Sequence, residues 1–273
     1  GMVTHVTYKN KNGDWLEPKD VEIVNGSFKS TDGYEVITGK IEKMSKSKKN
    51  VVDPNDIINS YGADTARWFM LSDSPPERDL QWTDTGIAAS FKFINKLNDL
   101  VEKYKHHKLK SDENTKDINE LKNIINEVAE NIETFQFNKS IAKIYEFVNI
   151  LNDALLENKL SQKNFKWSLE KLSLILQPFV PHISEEIWSS LGNQTLCINR
   201  TWPLENVIKK SEIKIAVQIN GKTKEIIEID GNFSKEQVLE NVKTNDKIKK
   251  NLLGKNVVRE VYVPGKIVNL VIK

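Results

Sequence analysis

The 273-residue chain has one cysteine, Cys197, so it can form neither an internal disulfide nor a cysteine-rich zinc site. It also lacks long apolar runs. Stretches such as "VVREVYV" carry charges and fall far short of the roughly 20 residues that cross a bilayer, so no membrane partner is expected. No apolar leader opens the sequence, and a reducing cytoplasm is the expected setting. Histidine is scarce. His106 and His107 read as a solvated helix end and His182 as a structural residue at a helix start, and no metal site is expected. Net charge is nearly absent, at +2.

What is present is a globular composition, 38% hydrophobic and 29% charged, long enough for two or three domains. The small net charge hides an uneven distribution: residues 208–273 hold 14 Lys and Arg against 8 Asp and Glu, leaving residues 1–207 at −4. A basic module suits a polyanion, because lysines near phosphates release condensed counterions, although such lysines also serve solubility alone. The opening "GMV" reads either as a remnant of tag removal or as a native run within something longer.

Residues 1–40 carry two strand-like pieces, "VTHVTYK" and "YEVITGKI", around a polar insertion punctuated by Gly13, Pro18, Gly26 and Gly33. Two short helices follow: Asp53 is an N-cap with Pro54 at the first helical position, Asp64 opens the second, and Pro75 and Pro76 end it. From Asp84 the period is helical for about a hundred residues. Ile87, Phe91, Ile94, Leu97 and Val101 share one face; Ile118, Leu121, Ile125, Val128 and Ile132 share another. With "FNKSIAKIYEFVNILNDALLE" and "NFKWSLEKLSLILQPF" they predict an up-and-down antiparallel helical bundle, with Phe91, Phe93, Tyr145, Phe147 and Trp167 in its core. "PHISEEIWSSLG" adds a short terminal helix ending at Gly192.

Beyond a linker the pattern alternates. "IKIAVQING" and "KTKEIIEID" flank a hairpin turn at Asn220 and Gly221. One charged helix is expected from about Ser234 to Leu253, opened by a Ser234/Gln237 capping box, and two strands split by Pro264 and Gly265 complete a ββαββ module. The expected class is α+β multidomain, with boundaries at 1–80, 81–192, a linker at 193–210, and 211–273.

The stretch "IEKMSKSKKN", residues 41–50, crowds four lysines and two serines together with no carboxylate after Glu42. On charge alone it is a solvated turn. Lysines are also compact point charges on flexible stems, suited to following a phosphate whose charge grows as a bond breaks. Other motifs fail. "GKT" at 221–223 lacks the earlier P-loop glycine, since that position is Ala216, and Glu185 and Glu186 are helix neighbours that point apart.

Lys43–Ser47 spell "KMSKS", a signature of class I aminoacyl-tRNA synthetases, and "KNVVDPNDIINSYGADTARWFML" resembles the segment that follows it in the leucine, isoleucine, valine and methionine subgroup. "PHISEEIW" resembles the end of that subgroup's helical anticodon-binding domain. "PPERDLQWTDTGIAASFKFINKL", "FNKSIAKIYEFVNIL" and the ending "VQINGKTKEIIEI … VYVPGKIVNLVIK" resemble bacterial-type leucyl-tRNA synthetases, from about Val36 to Lys273.

The resemblance implies the end of a Rossmann-type catalytic domain, a class Ia anticodon-binding bundle and a small C-terminal tRNA-binding domain. The parent enzyme would activate leucine with ATP and Mg2+ and transfer it to tRNA(Leu). Lys46 would be catalytic, stabilising the ATP phosphates as the leucine carboxylate attacks the α-phosphate and pyrophosphate leaves. Lys43 and Ser47 would be secondary contacts, and Met44 would seat an ATP loop that includes Ser45. Lys222, Lys224, Lys249, Lys250, Lys255, Arg259 and Lys266 become tRNA-backbone candidates.

The family's His-x-Gly-His motif is absent, as are residues for editing, so this segment alone is expected to bind no nucleotide and be inactive, as a monomer. Two departures stand out: Lys49 occupies a position where the family often has glycine, and the insertion at 9–35 is short beside the usual leucine-specific one. A valine or isoleucine sibling is disfavoured by the lone Cys197 and the ββαββ ending, since those relatives tend to end in a coiled coil or a cysteine zinc module. A stand-alone RNA-binding protein is the alternative of another class, which a His-x-Gly-His half upstream in the reading frame would exclude.

Overall fold

A computed structural model describes residues 1–109, 115–206, 212–230 and 233–273. The chain divides into two compact units, Gly1–Val207 and Ile208–Lys273. Among the described residues no helix is long and apolar enough to cross a membrane.

The first unit opens with β1 (Val3–Lys9), a two-residue β2 (Trp15–Leu16), a hairpin of β3 (Val21–Val24) and β4 (Ser27–Ser30), and β5 (Ile37–Lys43). β1 is the hub, pairing antiparallel with β2 and β5. The hairpin is the polar insertion of the sequence, separate from this sheet. α1 (Pro54–Tyr61) starts as its sequence predicts, with the Asp53 carboxylate accepting from the Asn55 amide and Pro54 supplying no amide that would need a partner.

α2 (Ala63–Ser72) departs from expectation: Gly62, with φ +84°, makes the junction, and Asp64 is not its cap. The Asp64 carboxylate is instead drawn to a distant helix start. β6 (Leu80–Gln81) then joins β1 in parallel through Val3 and Thr4. A two-residue strand has no periodic signature, so only its long-range partner defines it.

Five helices complete the unit: α3 (Asp84–His106), α4 (Thr115–Glu133), α5 (Phe137–Leu156), α6 (Gln162–Leu176) and α7 (Pro181–Ser190). Their shared core includes Leu97, Leu121, Ile125, Ile144, Phe147, Leu151, Phe165, Leu172 and Phe179. Phe93 and Phe147 are buried as expected, while Tyr145 and Trp167 pack half-buried at the rim. Phe91 is a correction: it is 38% exposed and lies edge-on to Tyr61. α3 packs against α2, α5 and α7 together, which shifts its buried stripe to Ile87, Phe93, Leu97, Leu100, Val101 and Tyr104.

The second unit contains β7 (Glu212–Ile219), β8 (Lys222–Asp230), α8 (Lys235–Thr244), α9 (Asp246–Leu252), β9 (Val257–Val263) and β10 (Ile267–Ile272). Its strand order is β8-β7-β10-β9, with β10 parallel to β7. Asn220 and Gly221 both have positive φ, as a type I′ hairpin turn requires. The Ser234/Gln237 capping box forms in both directions. The single expected helix is corrected to two. Asn245 adopts an extended ψ of 128°, and its side chain accepts from the Lys247 and Ile248 amides, restarting the helix. The break lets Ile248 join Val238, Leu239 and Val242 over Ile215, Val217, Ile227, Val268 and Leu270.

Candidate functional site

The lysine-rich loop leaves the end of β5 and is seated at once. The Met44 amide donates to the Val3 carbonyl at 3.1 Å, and its side chain packs half-buried on a small core of Phe69, Leu80, Trp82 and Ile87. Lys46–Lys48 form one 3-10 turn. Lys49 then takes φ +52°, ψ 25°, a left-handed conformation that costs a non-glycine residue about 1 kcal/mol. A glycine would adopt that geometry without this cost.

The loop's lysines are not equivalent. Lys48 is ion-paired with Glu42, whereas Lys43 and Lys46 are exposed and, among the described residues, form no ion pair. Ser47 is exposed and its Oγ lies 3.3 Å from the Oγ of Ser45. Lys46 and Lys49 border a cavity of about 720 Å³ whose wall also includes His5, Lys19, Asp53, Asp56 and Asp84. His5 is only 7% exposed, and burial pushes its imidazole pKa below the usual histidine value, against smaller opposing effects of the Asn50 backbone and the Asp84 charge. Its imidazole borders the same cavity as Lys46 and Lys49.

Two sets of tertiary contacts that the sequence did not reveal act here, one at the loop and one between α2 and the α6–α7 corner. Asn50 is 1% exposed and bonds to four backbone groups around the loop's base. Asp64 accepts from the His182 ring Nδ1 at 2.8 Å and from the Ile183 amide at 2.7 Å, capping α7. One turn along, Arg67 donates to the Phe179 and Pro178 carbonyls at 2.8 and 2.7 Å, just past the end of α6. A carboxylate at a helix start and a guanidinium at a helix end both match the local dipole. An acidic and a basic residue three apart was the only local signal available.

The other sequence candidates fall as follows. Glu185 accepts from the Cys197 and Ile198 amides at 2.7 and 2.9 Å, a structural cap, while Glu186 points to solvent. His107 meets Asn158 at 3.2 Å and His106 is exposed. Lys222, Lys224, Lys249, Lys250, Lys255, Arg259 and Lys266 are all exposed. They do not share one face of the second unit. By register Arg259 lies on the open side of the sheet, opposite the buried side of Leu270, whereas Lys249 and Lys250 ride on α9. Lys224 sits in a β-bulge, and Lys249 borders a cleft of about 380 Å³ with Glu236, Glu240 and Glu260.

Comparison with known proteins gives a consistent picture. The family model described as the anticodon-binding domain of tRNA ligase matches residues 114–256, and that of class I tRNA synthetases (I, L, M and V) matches residues 35–83. The leucine--tRNA ligase of Rickettsia bellii (strain RML369-C) is 39% identical over 278 residues, covering 99% of this chain and 33% of that protein. That of Zymomonas mobilis subsp. mobilis is 39% identical over 279 residues, 99% of this chain and 32% of its own length. A crystal structure of the ternary complex of Agrobacterium radiobacter K84 agnB2 LeuRS, tRNA and LeuAMS superposes with a TM-score of 0.66 at 29% identity, covering 85% of this chain and 32% of that one. The chain thus spans about a third of the length of the relatives it matches.

Proposed function

The chain belongs to the anticodon-binding-domain family of tRNA ligases, and from that premise we propose that it is the C-terminal third of a leucine-specific, ATP-dependent tRNA ligase. Lys46 carries the reading: an exposed ammonium outside any described ion pair, raised on a turn beside a cavity, within the segment that matches the class I synthetases. Its tied neighbour Lys48 lacks that freedom. ATP, with magnesium, supplies the activated phosphate when the rest of the enzyme is present.

The residues here fit a polyphosphate. Lys46 would stabilise charge developing on the departing pyrophosphate, Lys43 and Ser47 would add a second cation and a hydroxyl, and Met44 would anchor the loop. Among the described residues no three His, Cys, Asp or Glu side chains stand together as a metal-ligand group.

In this reading residues 1–80 end the catalytic domain, 81–192 form the anticodon-binding bundle, 193–210 link, and 211–273 bind tRNA(Leu). The division between the two compact units falls within that linker, which supports it. The exposed Ile37 and Ile41 on β5, whose outer edge has no strand partner among the described residues, suit a strand that the remainder of the enzyme covers.

The test is leucine-dependent ATP–pyrophosphate exchange by the full-length protein. Lys46→Ala is expected to lower kcat by roughly 10²–10³-fold, the usual loss for one donor to developing charge, with the leucine KM little changed. Unchanged exchange would overturn the assignment.

A further inference from the structure

We propose that Asn50 is the positioning residue of the lysine loop, its buried amide clasping the loop's two ends so that Lys46 is presented over the cavity in one geometry. The inference rests on the reading of Lys46 given above and adds a residue on which that reading depends.

The loop cannot hold itself. Its internal backbone bonds are Lys48 N–H to Ser45 O and Lys49 N–H to Lys46 O, both at 3.2 Å, a single 3-10 turn whose hydrogen-bond geometry is intrinsically poor. Lys49 adds left-handed backbone strain at the turn's exit. Beneath it Asn50 engages both ends of its amide. Oδ1 accepts from the Ser45 amide at 2.8 Å, and Nδ2 donates to the carbonyls of His5, Glu42 and Lys43 at 3.2, 3.3 and 3.4 Å.

The acceptors belong to β1 and to the last residues of β5, where strand pairing stops at Thr4 and Lys43. One side chain therefore ties the loop's first amide, its last residue and two strands together. Asn50 is buried at the base while the tip at Lys46, Ser47 and Lys49 is exposed, so the clasp lies beneath the side chain it positions.

The chemistry is specific to asparagine. Aspartate has the same shape but would set an oxygen against three carbonyls; alanine and serine cannot reach; only a short amide donates and accepts within one planar group.

The test is a double-mutant cycle in the full-length enzyme, read by leucine-dependent pyrophosphate exchange. Asn50→Ala is expected to lower kcat at least about tenfold with the leucine KM unchanged, yet less than about twofold in a Lys46→Ala background, because a residue acting through Lys46 has nothing left to position. Asn50→Asp should fail comparably. Hydrogen exchange supplies an arm independent of activity: the Ser45 amide should be protected in the wild type and lose protection in Asn50→Ala, while amides of α5 stay protected, showing that the fold stands.

Equal losses in both Lys46 backgrounds, or an unchanged Ser45 amide, would overturn the proposal. A wild-type protein with no leucine-dependent exchange would strike at the ligase reading instead, and Ser45 protection would then decide the clasp by itself.

Discussion

Trp68 and Phe69 are neighbours on α2, yet they serve different cores. Trp68 is fully buried in the bundle, stacked on Phe93 at 4.6 Å and donating its ring N–H to the Tyr145 hydroxyl at 3.1 Å. Phe69 faces the other way, into the small cluster with Leu80, Trp82 and Ile87 that supports the lysine loop. The bundle's core runs through every one of its helices, so apolar burial alone accounts for much of its cohesion. The cluster beneath the loop has four buried apolar side chains, Phe69, Leu80, Trp82 and Ile87, and this region relies on long-range polar bonds from Asn50, Thr4 and Thr7. The element that carries the lysine loop is therefore built with little apolar redundancy, and polar bonds from distant residues fix its base.

That contrast can be broken most directly at α2. Trp68→Ala is expected to lower the unfolding free energy by about 3–5 kcal/mol, measured by denaturant titration of helical circular dichroism. Phe69→Ala should fall at the lower end, near 3 kcal/mol, and should expose the loop to hydrogen exchange before the bundle opens. If the two variants unfolded both regions together with equal cost, the separation into two cores would be wrong.

A smaller effect tests the tie between α2 and the α6–α7 corner. Asp64→Ala strands the Ile183 amide and removes the partner of His182, and should cost about 1.5–3 kcal/mol, the range for a hydrogen bond to a charged group. Asp64→Asn, which keeps an acceptor, should cost less than Asp64→Ala; a reversed order would show that the carboxylate is not acting as a cap.

The mildest effect concerns pH. His5 has a folded-state pKa below the value of 6.5 that it takes when unfolded, so the unfolded chain gains a proton first as pH falls. Its contribution to stability is therefore complete above that value and declines as the pH drops toward the lowered folded one. A shallow loss of stability in this window, reduced in a His5→Gln variant, is the expected result of denaturation midpoints taken between neutral and mildly acidic pH. A slope that ignores the substitution would place the acid sensitivity elsewhere.

How much of this could be read in advance follows the same divide. The bundle was legible because a helix repeats its core contacts every three or four residues, and a repeat survives without knowledge of partners. The Asn220–Gly221 turn, the Asp53–Pro54 start and the Ser234 capping box were legible because donor and acceptor lie within three residues of each other. Phe91 was misplaced because the period defines a stripe only to within the width of its neighbours. Asn245 was missed because an asparagine within a charged helix is common, and only its cap bonds distinguish a break.

Gly86 carried no signal at all, yet a Cβ there would stand 2.5 Å from a Phe69 ring carbon and 2.8 Å from the Thr83 hydroxyl. Within the candidate site, the lysines and serines were visible from their spelling, whereas Asn50, His5 and the Asp64–Arg67 pair were not. Their partners lie from five to more than a hundred residues away.

By itself the sequence determined the five helices of the bundle, where the basic module begins, and that Lys43–Ser47 crowd lysines and serines into one short run, because hydrophobic period, local capping and charge are properties of neighbours along the chain. Tertiary structure decided that Lys48 is tied to Glu42 while Lys43 and Lys46 form no ion pair among the described residues, what holds the loop's base, and which two cores α2 joins. Those outcomes depend on buried donors and acceptors finding partners across the fold, and the strength of that demand comes from burial, which no short stretch of sequence contains.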